Sequence, residues 1–64
     1  MPLSGWEMRR LFEKAGWVFD HQTGSHMIMR KNGIQAVIPN HKELRKGMEH
    51  KLLKKLRATH DLPL

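Results

Sequence analysis

The 64-residue chain has no cysteine. Neither disulfides nor thiolate-bound metals can staple it, so the fold must stand on packing, alone or with a partner. No apolar run approaches the roughly 20 residues that a membrane span needs. The N-terminus also lacks the apolar stretch of a secretory signal. The expectation is a cytoplasmic protein without membrane association. Chain length excludes more. A domain this small buries only about 60% of the surface its unfolded chain exposes. That suffices for one modest core and leaves no room for a deep cofactor cavity, so no cofactor is expected. Acidic residues are scarce, with six Asp and Glu against twelve Lys and Arg. They are scattered, so paired carboxylates for acid–base chemistry are missing. There is no Gly-rich phosphate loop and no Gly-x-Ser-x-Gly elbow. The five histidines, at positions 21, 26, 41, 50 and 60, follow no zinc-ligand spacing, and HExxH is absent. No metal site is expected.

What is present is positive charge, and it is lopsided. In residues 1–29, Arg9, Arg10 and Lys14 cancel Glu7, Glu13 and Asp20. The net charge of +6 therefore resides entirely in residues 30–64, where nine basic side chains face Glu43, Glu49 and Asp61. A one-sided basic excess suits a polyanion, either nucleic acid or an acidic protein. A solvated surface that only keeps the chain soluble is the other reading.

The hydrophobic pattern predicts α-β-β-β-α. Ser4-Gly5-Trp6-Glu7 is a capping box. Met8, Leu11, Phe12 and Ala15 then follow the i, i+3, i+4, i+7 stripe of a helix that Gly16 ends. Trp17 to Gln22 and Ser25 to Arg30 read as strands joined by a turn at Thr23-Gly24. In the second strand Met27 and Met29 share one face, and His26, Ile28 and Arg30 share the other. Asn32-Gly33 suits a tight hairpin. Ile34 to Ile38 is the third strand, ended by Pro39. Residues 40–47 read as a polar connection, and a second helix is expected from about Met48 to Arg57. Its apolar side is Met48, Leu52, Leu53 and Leu56; its basic side is Lys51, Lys54, Lys55 and Arg57. Residues 58–64 are expected to fray. The fold class is α+β, a three-stranded antiparallel sheet with two helices on one face, in a single domain. The expected core is Met8, Leu11, Phe12, Ala15, Trp17, Phe19, Met27, Met29, Ile34, Ala36, Ile38, Leu52, Leu53 and Leu56. Trp6 lies off the apolar stripe and is the one aromatic left free to stack on a base.

With other chemistries excluded, histidine acid–base work on a basic surface remains. An imidazole titrates near neutrality and can both take and give protons. Beside cationic groups it can take the proton of a ribose 2′-OH, whose oxygen then attacks the adjacent phosphate. His26 is the best candidate, since it opens a strand after a glycine turn and faces away from Met27 and Met29, with Arg30 on its own face. Arg30 and Lys31 are candidate phosphate contacts; Lys51, Lys54 and Lys55 are candidates to hold the RNA backbone. The residues alone also allow His26 to be an ordinary exposed histidine and the three lysines to be a solvated helix face.

The order and spacing of several motifs resemble the HicA (YcfA-like) toxin family. Ser4-x-x-Glu7 and Leu11-Phe12-Glu13-Lys14-x-Gly16-Trp17-Val18 resemble its first helix and strand. Gly24-Ser25-His26 matches its Gly-Ser-His block. Pro39-x-His41, Glu43-Leu44-x-x-Gly47 and Leu52-Leu53-Lys54 resemble its later blocks. The likeness spans residues 4 to about 56. It implies a fold similar to double-stranded RNA-binding domains, and the toxin of a type II toxin–antitoxin system that cleaves mRNA with His26 as catalytic histidine. It also implies a HicB-like antitoxin partner that covers the site. Ser25 and His41 enter the expected RNA-binding set through this resemblance. His41 either donates to the leaving oxygen or only satisfies the connection after Pro39. Met48 and Glu49 depart from the family's threonine or serine and apolar residue, which predicts a differently capped second helix. Two rival expectations stand beside the nuclease: a non-catalytic RNA-binding module of the same fold, and a basic subunit that binds an acidic partner protein.

Overall fold

A computed structural model describes residues 2–62. Its elements are α1 (Gly5–Lys14), β1 (Val18–Thr23), β2 (His26–Lys31), β3 (Ile34–Pro39) and α2 (Lys46–Ala58). The strands form one antiparallel sheet in the order β1-β2-β3. This is the expected α-β-β-β-α arrangement.

Local chemistry explains where α1 starts. Ser4 Oγ accepts from the Glu7 N–H at 3.1 Å, and Glu7 Oε1 accepts from the Ser4 N–H at 2.8 Å. Two N–H groups with no helical acceptor are thereby satisfied. The entry of α1 is pressed onto the end of β3. The Gly5 N–H donates to the His41 carbonyl at 2.9 Å, and a Cβ at residue 5 would collide with the Pro39 carbonyl oxygen. Only glycine permits that approach.

The inner face of the sheet meets both helices. Met8 and Phe12 of α1, Leu52 of α2 and Met27, Met29, Ala36 and Ile38 of the sheet form one buried cluster, with Trp17 and Leu44. Trp17 lies just before β1 and packs edge-on against Phe12, ring centroids 5.0 Å apart. Leu11, Ala15, Phe19, Ile34, Leu53 and Leu56, all expected in the core, pack against this cluster half-buried.

Several expectations shift. Leu44, within the supposed polar connection, is buried, and its N–H donates to the Leu3 carbonyl at 2.8 Å. α2 begins at Lys46, so Gly47 lies in its first turn. Its N-cap, Arg45, makes no side-chain capping bond. Glu49, which replaces an apolar residue of the family pattern, instead accepts from the Leu3 N–H at 2.5 Å and ties the N-terminal segment to α2. Ala58 is the last helical residue rather than the first of a frayed tail, and Thr59 behind it is buried. Pro63 and Leu64 of that tail lie outside the described residues. Lys31 extends β2 by one residue and falls on its inner face, where it is 4% exposed.

Candidate active site

His26 owes its place to the turn before it. Thr23 and His26 pair across β1 and β2, leaving Gly24 and Ser25 as a two-residue loop. Gly24 has φ 59°, and Ser25 is not in the left-handed region. This fits a type II′ turn, which needs glycine at its first central position and continues the twist of both strands. The turn fixes the register, and the register fixes the face. Met27 is fully buried, so its neighbour His26 stands on the opposite, outer face and is exposed.

On that outer face His26 is flanked in register by Thr23 of β1 and Pro39 of β3. The next row is His21, Ile28 and Val37; beyond it lie Val18, Arg30 and Gln35. Towards β3 the face runs into a cleft of about 390 Å³ lined by His26, Gln35, Val37, Pro39, Met48, Lys51, Leu52 and Lys55. α2 forms its far wall. Lys55 Nζ donates to the Gln35 carbonyl at 2.7 Å, which ties α2 to the edge strand β3. The cleft unites His26, Lys51 and Lys55.

The remaining expected residues are distributed differently. Lys54 is exposed and does not line the cleft. Ser25 is exposed, and its carbonyl accepts from the Asn40 N–H at 2.6 Å, which fastens the turn to the segment after β3. His41 is exposed and follows that segment; its backbone carbonyl receives Gly5. Arg30 stays on the outer face, with Nε 3.4 Å from Asp20 Oδ2. Lys31 is a correction. It is no surface phosphate contact, because its Nζ donates to the Ala15 carbonyl at 2.7 Å and the Thr59 carbonyl at 3.3 Å. Each of those residues caps the C-terminus of a helix, where an ammonium meets end carbonyls and the negative end of the dipole. Trp6 is 54% exposed. The Arg9 guanidinium lies 4.6 Å from the centroid of Trp6 and 4.0 Å from that of Phe19.

A second polar cluster had no signal in the sequence. Between Phe19 and His21 the β1–β2 register slips by one residue, so Asp20 is a bulge. Asp20 Oδ2 lies 2.5 Å from His21 Nδ1 and also faces Arg30. The His21 hydrogen bond holds the Asp20 carboxyl below its ordinary range; desolvation opposes it, and Arg30 adds to the lowering. Gln35, Val37 and Met48 of the cleft were likewise not anticipated. The alternation of β3 would have put Gln35 and Val37 on the His26 face.

Among the described residues, no three His, Cys, Asp or Glu side chains gather where they could hold a metal ion. Nor is any helix there long and apolar enough to cross a membrane. No curated protein and no solved structure matches the chain. A family model described as the HicA toxin of bacterial toxin–antitoxin systems matches residues 5–57, from the first residue of α1 almost to the end of α2. With His26 presented outward after its Gly-Ser turn and nearly the whole α-β-β-β-α unit inside that match, the chain belongs to the HicA toxin family.

Proposed function

We propose that this protein is the toxin of a type II toxin–antitoxin pair and an endoribonuclease that cleaves mRNA without a metal. The observation that carries this reading is one cleft holding an exposed imidazole, His26, opposite two lysines, Lys51 and Lys55. Neutral His26 takes the proton of a ribose 2′-OH, and the freed oxygen attacks the adjacent phosphorus. Lys51 and Lys55 stabilise the charge that grows on the phosphoryl oxygens. Lys54 and Arg30 lie outside the cleft and serve as outlying contacts to the RNA backbone, which give affinity without sequence choice. Ser25, in the turn, and His41, after β3, flank His26 and complete the RNA-binding surface. The family implies a HicB-like antitoxin that covers the cleft. The pair works in the cytoplasm, where mRNA is.

The test is expression with and without His26→Ala, following growth and mapping RNA 5′ ends. Growth arrest and new 5′-hydroxyl ends only with His26 present support the reading. Equal toxicity of both forms rejects it. A short acidic protein encoded directly beside this gene is the expected antitoxin.

A further inference from the structure

We infer that His21, held by Asp20, is the second proton-transfer group of this site and protonates the leaving 5′-oxygen. The inference rests on the nuclease reading and adds a residue to it. Attack by a 2′-oxygen needs a base for the incoming hydroxyl and, for a poor alkoxide leaving group, an acid on the far side of the phosphorus. The cleft supplies one imidazole. The open face of the sheet supplies another beside it.

The placement comes from the bulge. His21 pairs with Ile28, which is two residues beyond His26 on β2, so His21 and His26 are diagonal neighbours on adjacent strands. Such neighbours stand about 7–8 Å apart at the backbone, within reach of two imidazoles that converge on one phosphate. Without the extra residue, the alternation of β1 would put His21 on the inner face. Both rings face solvent; the side chain of His21 is 51% exposed. Opposite an ionised Asp20, the 2.5 Å contact requires Nδ1 to donate and leaves Nε2 as the ring nitrogen for the transfer. A carboxylate in that position orients the ring for a proton transfer. Arg30, on the far side of the same carboxylate, holds it in place. The charged and titratable groups around His21 are thus Asp20 on its own strand and Arg30 and His26 on β2; β3 contributes the uncharged Gln35, Val37 and Pro39 to this face.

The step balances. The 2′-OH proton passes to His26, the 2′-oxygen–phosphorus bond forms and the phosphorus–5′-oxygen bond breaks. The departing oxygen takes a proton from imidazolium His21. The products are a 2′,3′-cyclic phosphate and a 5′-hydroxyl, with no oxidant, reductant or metal required.

The experiment uses a synthetic RNA oligonucleotide spanning a site cut by the wild-type protein. A second version replaces the bridging 5′-oxygen at that site by sulfur, a leaving group that needs no proton. His21→Ala is expected to slow cleavage of the ordinary linkage by about 10²-fold or more and to leave the sulfur linkage near the wild-type rate. Asp20→Asn should show the same selectivity with a smaller loss, because Asp20 is a positioning residue that acts through His21. His26→Ala should be slow on both linkages. Equal slowing of both linkages by His21→Ala, or none of either, overturns the inference; so does the selective pattern appearing in His41→Ala instead. If no RNA site cut by the wild-type protein exists, or His26→Ala cuts both linkages at full rate, the nuclease reading itself falls. Circular dichroism and thermal melting confirm that the variants are folded, as expected for exposed positions.

Discussion

The two faces of β2 make a sharp contrast. Met27, Met29 and Lys31 point inward and are almost wholly buried; His26 and Arg30 point outward and are exposed, with Ile28 buried between them on the outer face. Arg30 and Lys31 are adjacent and carry the same charge, yet one sits in solvent beside a carboxylate and the other closes two helix ends. A strand has a period of two, so core and chemistry can be interleaved residue by residue. The stability of this small domain and its proposed reaction are thus written on opposite sides of six residues. Substitutions that move one property without the other sharpen that comparison, and those that move both break it.

His26→Ala and Met27→Ala should separate most widely. The first is expected to lower RNA cleavage by about 10²–10⁴-fold and to leave the melting temperature close to wild type, since His26 is exposed. The second removes a fully buried side chain. It should cost about 2–5 kcal/mol of stability by urea denaturation, a large share of what a domain this size possesses. A His26→Ala protein that melts many degrees lower would show that the outer face also bears the fold.

Arg30→Met and Lys31→Met make the next contrast. Lys31→Met leaves the Ala15 carbonyl without its donor and the Thr59 carbonyl with only the Leu62 N–H, which should cost about 1–3 kcal/mol. Arg30→Met removes an exposed ion pair and should change stability by less than about 1 kcal/mol. Equal losses in urea denaturation would refute the different roles of the two residues. The cleft lysines should contribute to affinity as well as to the chemical step. Removing Lys51 or Lys55 should weaken RNA binding and flatten the log affinity against log salt slope by about 0.7 per lysine for single-stranded RNA. Lys54→Ala, outside the cleft, should weaken binding less. Filter binding of the His26→Ala protein to a short RNA across a salt series measures this without cleavage.

Much of this contrast was readable from the chain. The capping box, the Asn-Gly hairpin and the Met27/Met29 alternation specify elements that are local in sequence, and they stand as expected. The glycine turn and the period of β2 were enough to expect His26 on the open face. Three features were hidden because long-range contacts decide them. Leu44 reads as a lone apolar residue among polar ones; its burial depends on a bond to Leu3, which is remote in sequence. Lys31 follows Arg30 in a basic pair that looks solvated, and only the folded position of two helix ends makes a partner for it. The Asp20 bulge leaves the composition of β1 unremarkable, yet it decides which face His21 joins. The family resemblance raised the functional reading of His26 but carried no signal for any of these three.

A last, small effect compares the two helix starts. α1 begins with a reciprocal side-chain cap; α2 begins at Arg45 with none, and its first-turn acid, Glu49, is engaged by the distant Leu3 N–H. Local sequence should therefore govern the first start more than the second. Ser4→Ala should cost about 1 kcal/mol. The loss should also depend on pH with a definite sign. The Ser4 backbone N–H, and then the Ser4 hydroxyl, hold the Glu7 carboxyl below its ordinary value of 4.5. The folded state then binds fewer protons than the unfolded chain. Glu7's contribution is complete above that ordinary value and disappears as pH falls through the depressed one. Melting curves from neutral to acid pH should show wild-type stability declining over that window. Glu7→Gln should decline less, since an uncharged side chain can still accept from the Ser4 N–H but no longer titrates. Parallel curves for the two proteins would mean that other carboxylates, Asp20 first among them, set the acid limit of the fold.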